Sequence, residues 1–255
     1  MRDNPRMLPR FHAPGLDAGR REATLDGDEG RHLTRVMRLG VGDEVAVFNG
    51  RGVEFRARIT AVTRESVRLE LIERVTAAPE PRVALTLVQA VLKGDRMDDV
   101  VRDATMMGVR ALVPVISAHL AVKTSALERG KPAERWRRVA LASAKQSRRA
   151  TLPEVYEPRP FREWLASEHP GERLLFVEPS QPSMEKPRSL REWLTRPVPS
   201  SASLIVGPEG GWAVEEIEAA VGAGCTPVTL GGLTLRADAM AVVAISICRF
   251  VFEGS

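Results

Sequence analysis

The sequence predicts an α/β protein with a mostly parallel sheet over its C-terminal two thirds, preceded by a small β-rich module consistent with a barrel. Three observations lead there. From Val83 onward, short continuous apolar runs alternate with segments of helical period, as parallel strands buried on both faces and their crossover helices do. Before Thr76 the dominant period is two. Between them, Ala77-Ala78-Pro79-Glu80-Pro81 has no period and reads as a linker. At 255 residues the chain suits one or two domains, expected over 1–76 and 82–255.

Taken in order, Gly27 to Gly40 reads as a helix, with Leu33, Val36 and Met37 at i, i+3, i+4 and Gly40 as its stop. Val45 and Val47 run into Asn49-Gly50, a pair that tolerates positive φ, and then Val53, Phe55, Ala57, Ile59 and Ala61 alternate with polar neighbours. Val67, Leu69 and Leu71 repeat the pattern. Past the linker, 83–90 is a strand. Met97, Val100, Val101, Ala104 and Met107 form a helical stripe stopped by Gly108, and 109–116 is the next strand. A long helix covers about 133–150. Short strands follow at 174–177, 203–206 and 227–230, with helical segments near 190–194, 213–222 and 237–252.

Composition narrows the function classes. Apolar residues at 44% and charged residues at 27% exclude wholesale disorder. The longest apolar run, Met240 to Cys248, is far short of a bilayer span. The N-terminus, MRDNPRMLPRF, is charged and proline-bearing where an export signal needs an apolar core. Two cysteines, Cys225 and Cys248, build neither a disulfide framework nor a thiolate zinc site, so a reducing cytoplasm is expected. Only five of the 37 basic residues are lysine (Lys93, Lys123, Lys131, Lys145, Lys186). Arginine suits bidentate phosphate contacts, which points to an acidic polymer as partner, although genome composition produces the same bias. Between Arg129 and Arg149 eight basic residues face one acid, Glu134. On the helix there, Arg135, Arg138, Lys145 and Arg149 fall within roughly 80° of one another, a candidate phosphate-binding face.

Several chemistries are absent. No Gly-x-Gly-x-x-Gly, Gly-Lys-Ser/Thr or Gly-x-Ser-x-Gly occurs, and His12, His32, His119 and His169 have no ligand spacing, so no metal is expected. The informative glycines lie in Gly94-Asp95-Arg96-Met97, Gly207-Pro208-Glu209-Gly210-Gly211 and Gly231-Gly232-Leu233-Thr234-Leu235-Arg236. The second sits between a buried strand and a helix, where glycines admit a ligand to free N–H groups at the carboxyl end of a parallel strand. A tight turn that binds nothing would look the same.

Together these residues resemble a known family. Leu204 to Trp212, the glutamates Glu215 and Glu216, and Leu230-Gly231 with Leu233-Thr234-Leu235-Arg236 are similar to the C-terminal signature of the small-subunit (16S) ribosomal RNA uridine-N3 methyltransferases. That family belongs to the SPOUT class, whose α/β domain contains a trefoil knot. Lys93-Gly94-Asp95-Arg96-Met97, Gly108-Val109 with Pro114, and Gln146-Ser147-Arg148-Arg149 with Leu152-Pro153 match in the same order. Arg31-His32-Leu33 through Val36-Met37-Arg38-Leu39 to Gly42-Asp43 is similar to its PUA-like RNA-binding domain.

The resemblance implies a homodimer that uses S-adenosylmethionine and acts on ribosomal RNA or the small subunit in the cytoplasm. The cofactor would contact Val177, Glu178, Val206, Gly207, Gly210, Gly211, Leu230, Gly231, Leu233 and Leu235. Arg31, His32, Arg35, Arg38, Arg96, Arg135, Arg138, Lys145 and Arg149 would face RNA. The chemistry needs donor and acceptor held in line, loss of the uracil N3 proton, and a base drawn from its stack. Arg236 is the candidate for stabilising the uracil anion; Asp238 and Glu209 are candidates for proton handling, with Glu209 leaning to a structural role. The final helix, whose one charge between Ala239 and Phe252 is Arg249, suits burial on more than one side, in a dimer or within one subunit. Three segments depart from the family pattern. Leu235-Arg236-Ala237-Asp238-Ala239-Met240 stands for Leu-Arg-Thr-Glu-Thr-Ala, Asp103 to Gly108 for Lys-Ala-Thr-Glu-Leu-Gly, and Lys145 for a glutamate. They motivate two alternatives: a non-catalytic RNA-binding or ribosome-assembly factor, or a methyltransferase acting on another RNA.

Overall fold

The computed structural model describes residues 8–121, 127, 129–179 and 187–253. The first seven residues, on which the reading of the N-terminus partly rests, lie outside them. The chain forms two compact units, Met1–Glu80 with Ala144–Leu152, and Pro81–Ser143 with Pro153–Ser255. A second domain unbroken from 82 was expected; instead 144–152 folds with the first unit. The cause lies in hydrogen bonds between distant segments. Gly52 N–H donates to Ala150 C=O at 3.0 Å, Leu152 N–H donates to Gly50 C=O at 2.9 Å, and the Arg10 guanidinium donates to the carbonyls of Ala144, Lys145 and Arg149.

The first unit contains β1 (Arg10–His12), β2 (Glu22–Asp26), α1 (Gly27–Arg31), β3 (Glu44–Phe48), β4 (Glu54–Val62) and β5 (Ser66–Val75) in a sheet of order β1-β3-β4-β5-β2. The period-two residues meet across it. Val45 pairs with Ala57 and Ile59 with Leu69, so their side chains share one face and close a core with Phe11, Leu25 and Leu33. Gly50 has φ +76, as the turn pair required. The helix expected over Gly27 to Gly40 is shorter. After α1 the chain forms a π-helical turn, His32–Val36, closed by Met37 N–H to His32 C=O at 3.0 Å. Each turn there takes one extra residue, which moves Val36 (64% exposed) and Met37 (43%) off the buried face that Leu33 occupies.

The second unit holds β6 (Ala84–Ala90), α2 (Arg96–Met106), β7 (Ala111–Ile116), α3 (Pro132–Ser147, its last turn counted with the first unit), β8 (Glu154–Val155), β9 (Arg159–Pro160), α4 (Phe161–Leu165), β10 (Glu172–Phe176), β11 (Arg188–Ser189), α5 (Leu190–Trp193), β12 (Ser201–Val206), α6 (Val214–Gly222), β13 (Thr226–Thr229) and α7 (Ala237–Glu253). The strand order is β11-β13-β10-β12-β6-β7-β8, with β9 also on β7, and every pairing is parallel. Alternate residues of β6 enter two different cores. Leu85 and Leu87 pack with α2 and α7, Val88 and Ala90 with α4 and α6, which is why the strand reads as a continuous apolar run. β10 lies between β12 on one side and β13 on the other. The connection out of β12 therefore crosses β10, and α7 then returns to pack on β12 and β6.

The charges of α3 do not form a single-sign face. Arg135 pairs with Asp95 at 2.7 Å and with Asp98; Arg137 pairs with Glu157 at 3.0 Å. In the first unit Lys145 pairs with Glu29 at 2.9 Å, and Arg149, with 7% of its side chain exposed, pairs with Glu80 at 2.6 Å. Acids from distant segments supply the missing sign. Lys145 and Arg149 hold the first unit together, while Arg138 stays exposed.

Candidate active site

Parallel register brings three strand ends to one level. Phe176 at the end of β10 pairs with Val206 of β12 on one side and Val228 of β13 on the other. The segment leaving β12 leads to α6 on one face of the sheet and the segment leaving β13 to α7 on the other, so the two loops diverge and open a crevice at the carboxyl ends of the strands, where open α/β sheets bind ligands. A cleft of about 410 Å³ lies there, lined by Phe176, Val177, Glu178, Val206 to Glu209, Gly211, Trp212 and Thr234 to Ala237, with Arg96 and Met240 at its sides. That volume suits a nucleoside-sized ligand.

The loop 207–213 is fastened on several sides, which removes the freedom its glycines would otherwise have. Gln89 Nε2 donates to Gly207 C=O at 3.3 Å. A Cβ on Gly207 would come within 3.0 Å of Trp212 Nε1, so glycine there lets the indole lie over the turn without being pushed aside. The indole stacks on Phe161 and donates to Phe176 C=O at 3.1 Å, tying the loop to the end of β10. Glu209 accepts from Lys93 N–H at 3.2 Å and from Arg96 Nη1 at 3.1 Å. Gly211 adopts φ +70.

Arg236 and Asp238 meet at the cleft in a two-point ion pair, with Nε to Oδ1 at 3.2 Å and Nη2 to Oδ2 at 2.9 Å. Asp238 lies in the first turn of α7, where the helix dipole favours a carboxylate. Among the described residues no cluster of His, Cys, Asp and Glu could hold a metal.

The expected site residues separate into groups. Val177, Glu178, Val206, Gly207, Gly211, Leu235, Glu209, Arg236 and Arg96 border the cleft. Gly210 instead packs on His119, Leu230 and Gly231 line a second, apolar pocket, and Leu233 is 80% exposed. Phe176 and Thr234 border the cleft as members of the loops that the family resemblance brought to the cofactor, and Trp212, Ala237 and Met240, which belong to the same signature segments but were given no contact of their own, border it too. Gln89, near the end of β6, and His119, in the loop that leaves β7, reach the glycine loop through its main-chain carbonyls. In the first unit Arg31 ends α1, His32 and Arg35 lie on the π turn and Arg38 follows it; all four are exposed, and Arg31 pairs with Asp28.

The chain matches the RNA methyltransferase domain family over residues 79–249 and the RNA methyltransferase PUA domain family over 25–72. It is 30% identical to ribosomal RNA small subunit methyltransferase E of Synechocystis sp. over 90% of this chain and 73% of that protein. To the Bacillus subtilis protein of the same name it is 25% identical over 90% of each. Among solved structures, ribosomal RNA small subunit methyltransferase E of Neisseria gonorrhoeae bound to S-adenosyl methionine superposes with TM-score 0.82 at 27% identity, over 96% of this chain and 98% of that one. A Legionella pneumophila methyltransferase in complex with the same cofactor superposes with TM-score 0.84 at 27% identity, over 95% and 97%. The cleft at the carboxyl ends of the strands and the chain-long similarity agree: this chain belongs to the S-adenosylmethionine-dependent RNA methyltransferases of the ribosomal RNA small subunit methyltransferase E family, a SPOUT-type domain with a PUA-like domain at its N-terminal side.

Proposed function

We propose that the chain methylates N3 of a uridine in small-subunit (16S) ribosomal RNA, as a cytoplasmic homodimer. The observation that carries this reading is the presence of Arg236, oriented by Asp238, at the edge of a cleft whose floor is the fastened loop 207–213. The cleft between the 206–211 and 176–178 segments has the size to hold a nucleoside and an amino-acid tail. S-adenosylmethionine held there would supply an electrophilic methyl, which N3 would take with loss of the methyl–sulfur bond and release of a neutral thioether.

The chain's own residues do the rest. Arg236 has three N–H groups turned away from Asp238, and these stabilise the charge that spreads onto the uracil carbonyl oxygens as N3 gives its proton to water at the open mouth. Asp238 presents both oxygens to Arg236, which gives it an orienting role. Glu209 is engaged by Lys93 N–H and Arg96, and so shapes the loop. Arg96 and Arg138 in the second unit, with Arg31, His32, Arg35 and Arg38 in the first, supply exposed donors for phosphates. Homodimerisation is supported by α7. Its inner face is buried in this chain, whereas Phe250 is 83% exposed and Ile247 and Val251 border the apolar pocket with Leu190, Leu194 and Leu230.

The test is transfer of labelled methyl from S-adenosylmethionine to unmodified 16S RNA and to assembled small subunits, followed by nucleoside digestion. 3-Methyluridine is the expected product. Label in another nucleoside would replace the uridine assignment, and cofactor binding without transfer would favour the assembly-factor alternative. Sedimentation of the full chain, with Phe250→Asp as the disrupting variant, tests the dimer.

A further inference from the structure

One buried carboxylate joins two loops at the carboxyl edge of the sheet. Glu216, 6% exposed in the first turn of α6, accepts Ala118 N–H at Oε1 (2.8 Å) and Ala213 N–H at Oε2 (3.1 Å). Ala213 ends the glycine loop; Ala118 lies in the loop that leaves β7. The next residue of that loop reaches back. His119 Nδ1 lies 3.2 Å from both Gly210 C=O and Gly211 C=O, a geometry in which Nδ1–H is the shared donor. A Cβ on Gly210 would come within 3.1 Å of His119 Cβ, so the glycine lets the two loops lie close together. Neither Glu216 nor His119 borders the cleft.

We propose that Glu216 is a positioning residue for the cofactor, acting with His119 as a clamp that holds the glycine loop in its binding shape from behind. The inference rests on the cleft being the cofactor site. Its physical basis is the cost of order. A loop with glycines at 207, 210 and 211 has more conformations to lose on binding than an ordinary one, and that loss weakens affinity unless it has already occurred in the free protein. A buried carboxylate with two N–H partners is a strong fastening, because either N–H left without an acceptor carries its full desolvation penalty. Glu216 touches no reacting atom, so its loss weakens cofactor binding and leaves the transfer step alone.

Three full-length variants test this by calorimetric titration with S-adenosylmethionine and by steady-state kinetics. Glu216→Gln keeps the shape of the side chain but turns an NH2 toward one of the two N–H donors. His119→Ala, at an exposed position, removes only the bond to Gly210 and Gly211. Glu215→Gln changes the neighbouring exposed acid and is the control. The expected result is a roughly tenfold rise in Kd and KM for the cofactor in the first two, kcat within about twofold of native, and no change in the third. The double variant should fall short of the product of the singles, because both act on one clamp. Unchanged Kd in His119→Ala overturns the proposal, as does a loss carried by kcat. If Glu216→Gln does not fold, His119→Ala decides alone. A native chain that binds no S-adenosylmethionine sinks the cleft assignment and the clamp with it, whereas native binding with unaffected variants sinks the clamp only.

Discussion

Asp238 holds Arg236 by two parallel contacts, Nε to Oδ1 at 3.2 Å and Nη2 to Oδ2 at 2.9 Å, so the guanidinium plane is set before any ligand arrives. A fork held this way stabilises developing charge without reorganising at the moment of reaction. Arg236→Ala should lower single-turnover methyl transfer by about 10²- to 10³-fold, and Arg236→Lys should recover little, because an ammonium lacks the planar fork. Asp238→Asn keeps one acceptor and should lose roughly tenfold while the pH profile keeps its shape. Loss of an ascending limb in Asp238→Asn would instead make Asp238 the proton acceptor.

Arg10 spends all five N–H groups in the first unit. Nε and Nη2 engage Glu54 at 3.0 and 2.8 Å, Nη1 the carbonyls of Ala144 and Lys145 at 2.9 and 3.0 Å, and Nη2 also that of Arg149 at 3.0 Å. With side chains 8% and 9% exposed, removing one partner strands the other. Arg10→Ala should cost about 3–5 kcal/mol in urea unfolding, and Arg10→Lys most of that. A loss below about 1 kcal/mol in Arg10→Ala would show that the pair contributes little beyond an exposed one.

What was legible in the sequence was what local chemistry determines. The change from period two to strand-and-helix alternation foretold both modules, because burial on one face or two leaves a periodic trace. The glycine loop was legible for a similar reason: Gly207 and Gly211 answer steric demands of the backbone itself. Pairings between distant residues leave no such trace. Lys145 and Arg149 read as an RNA-facing surface because Glu29 and Glu80 are 116 and 69 residues away, and only the fold brings them together. Strands β1 and β2 were missed because three and five residues are too few for a period to stand out. Gln89 and His119 looked idle since they serve main-chain carbonyls, which carry no sequence identity.

Two half-buried histidines give stability a pH dependence. Burial is the largest cause of a lowered pKa at both His12 and His169, below the ordinary 6.5. Between the lowered folded value and 6.5 the unfolded chain binds more protons than the native one, so stability rises with pH through that interval and is lost on acidification. The melting temperature should fall from pH 7 toward pH 5, and His12→Gln or His169→Gln should each flatten the curve. A melting temperature that rises on acidification in this range would contradict the assignment.

Both thiols are buried, and both should react slowly for the same physical reason. Burial pushes Cys225 up to about 11 and Cys248 up to about 12, which leaves almost no thiolate at neutral pH. Labelling with a thiol reagent at pH 8 should therefore be slow in the native chain and fast in urea. Rapid native labelling of Cys248 would mean that α7 opens.

Arg148 follows the last residue of α3 with φ +62, the left-handed conformation that ends many helices and that glycine adopts without steric cost. An arginine there carries roughly 1–2 kcal/mol of backbone strain. Replacing it with glycine removes the strain but gives the unfolded chain more freedom, which offsets about 0.4–1 kcal/mol of the gain. The net expectation for Arg148→Gly is a gain of about 0.5 kcal/mol, read as a higher urea midpoint at unchanged slope. Arg148→Val should move the midpoint the other way, because a β-branched side chain tolerates positive φ less than arginine does. If both variants are destabilised alike, the guanidinium rather than the backbone matters at this position, and Arg148 joins the residues to be tested for RNA binding.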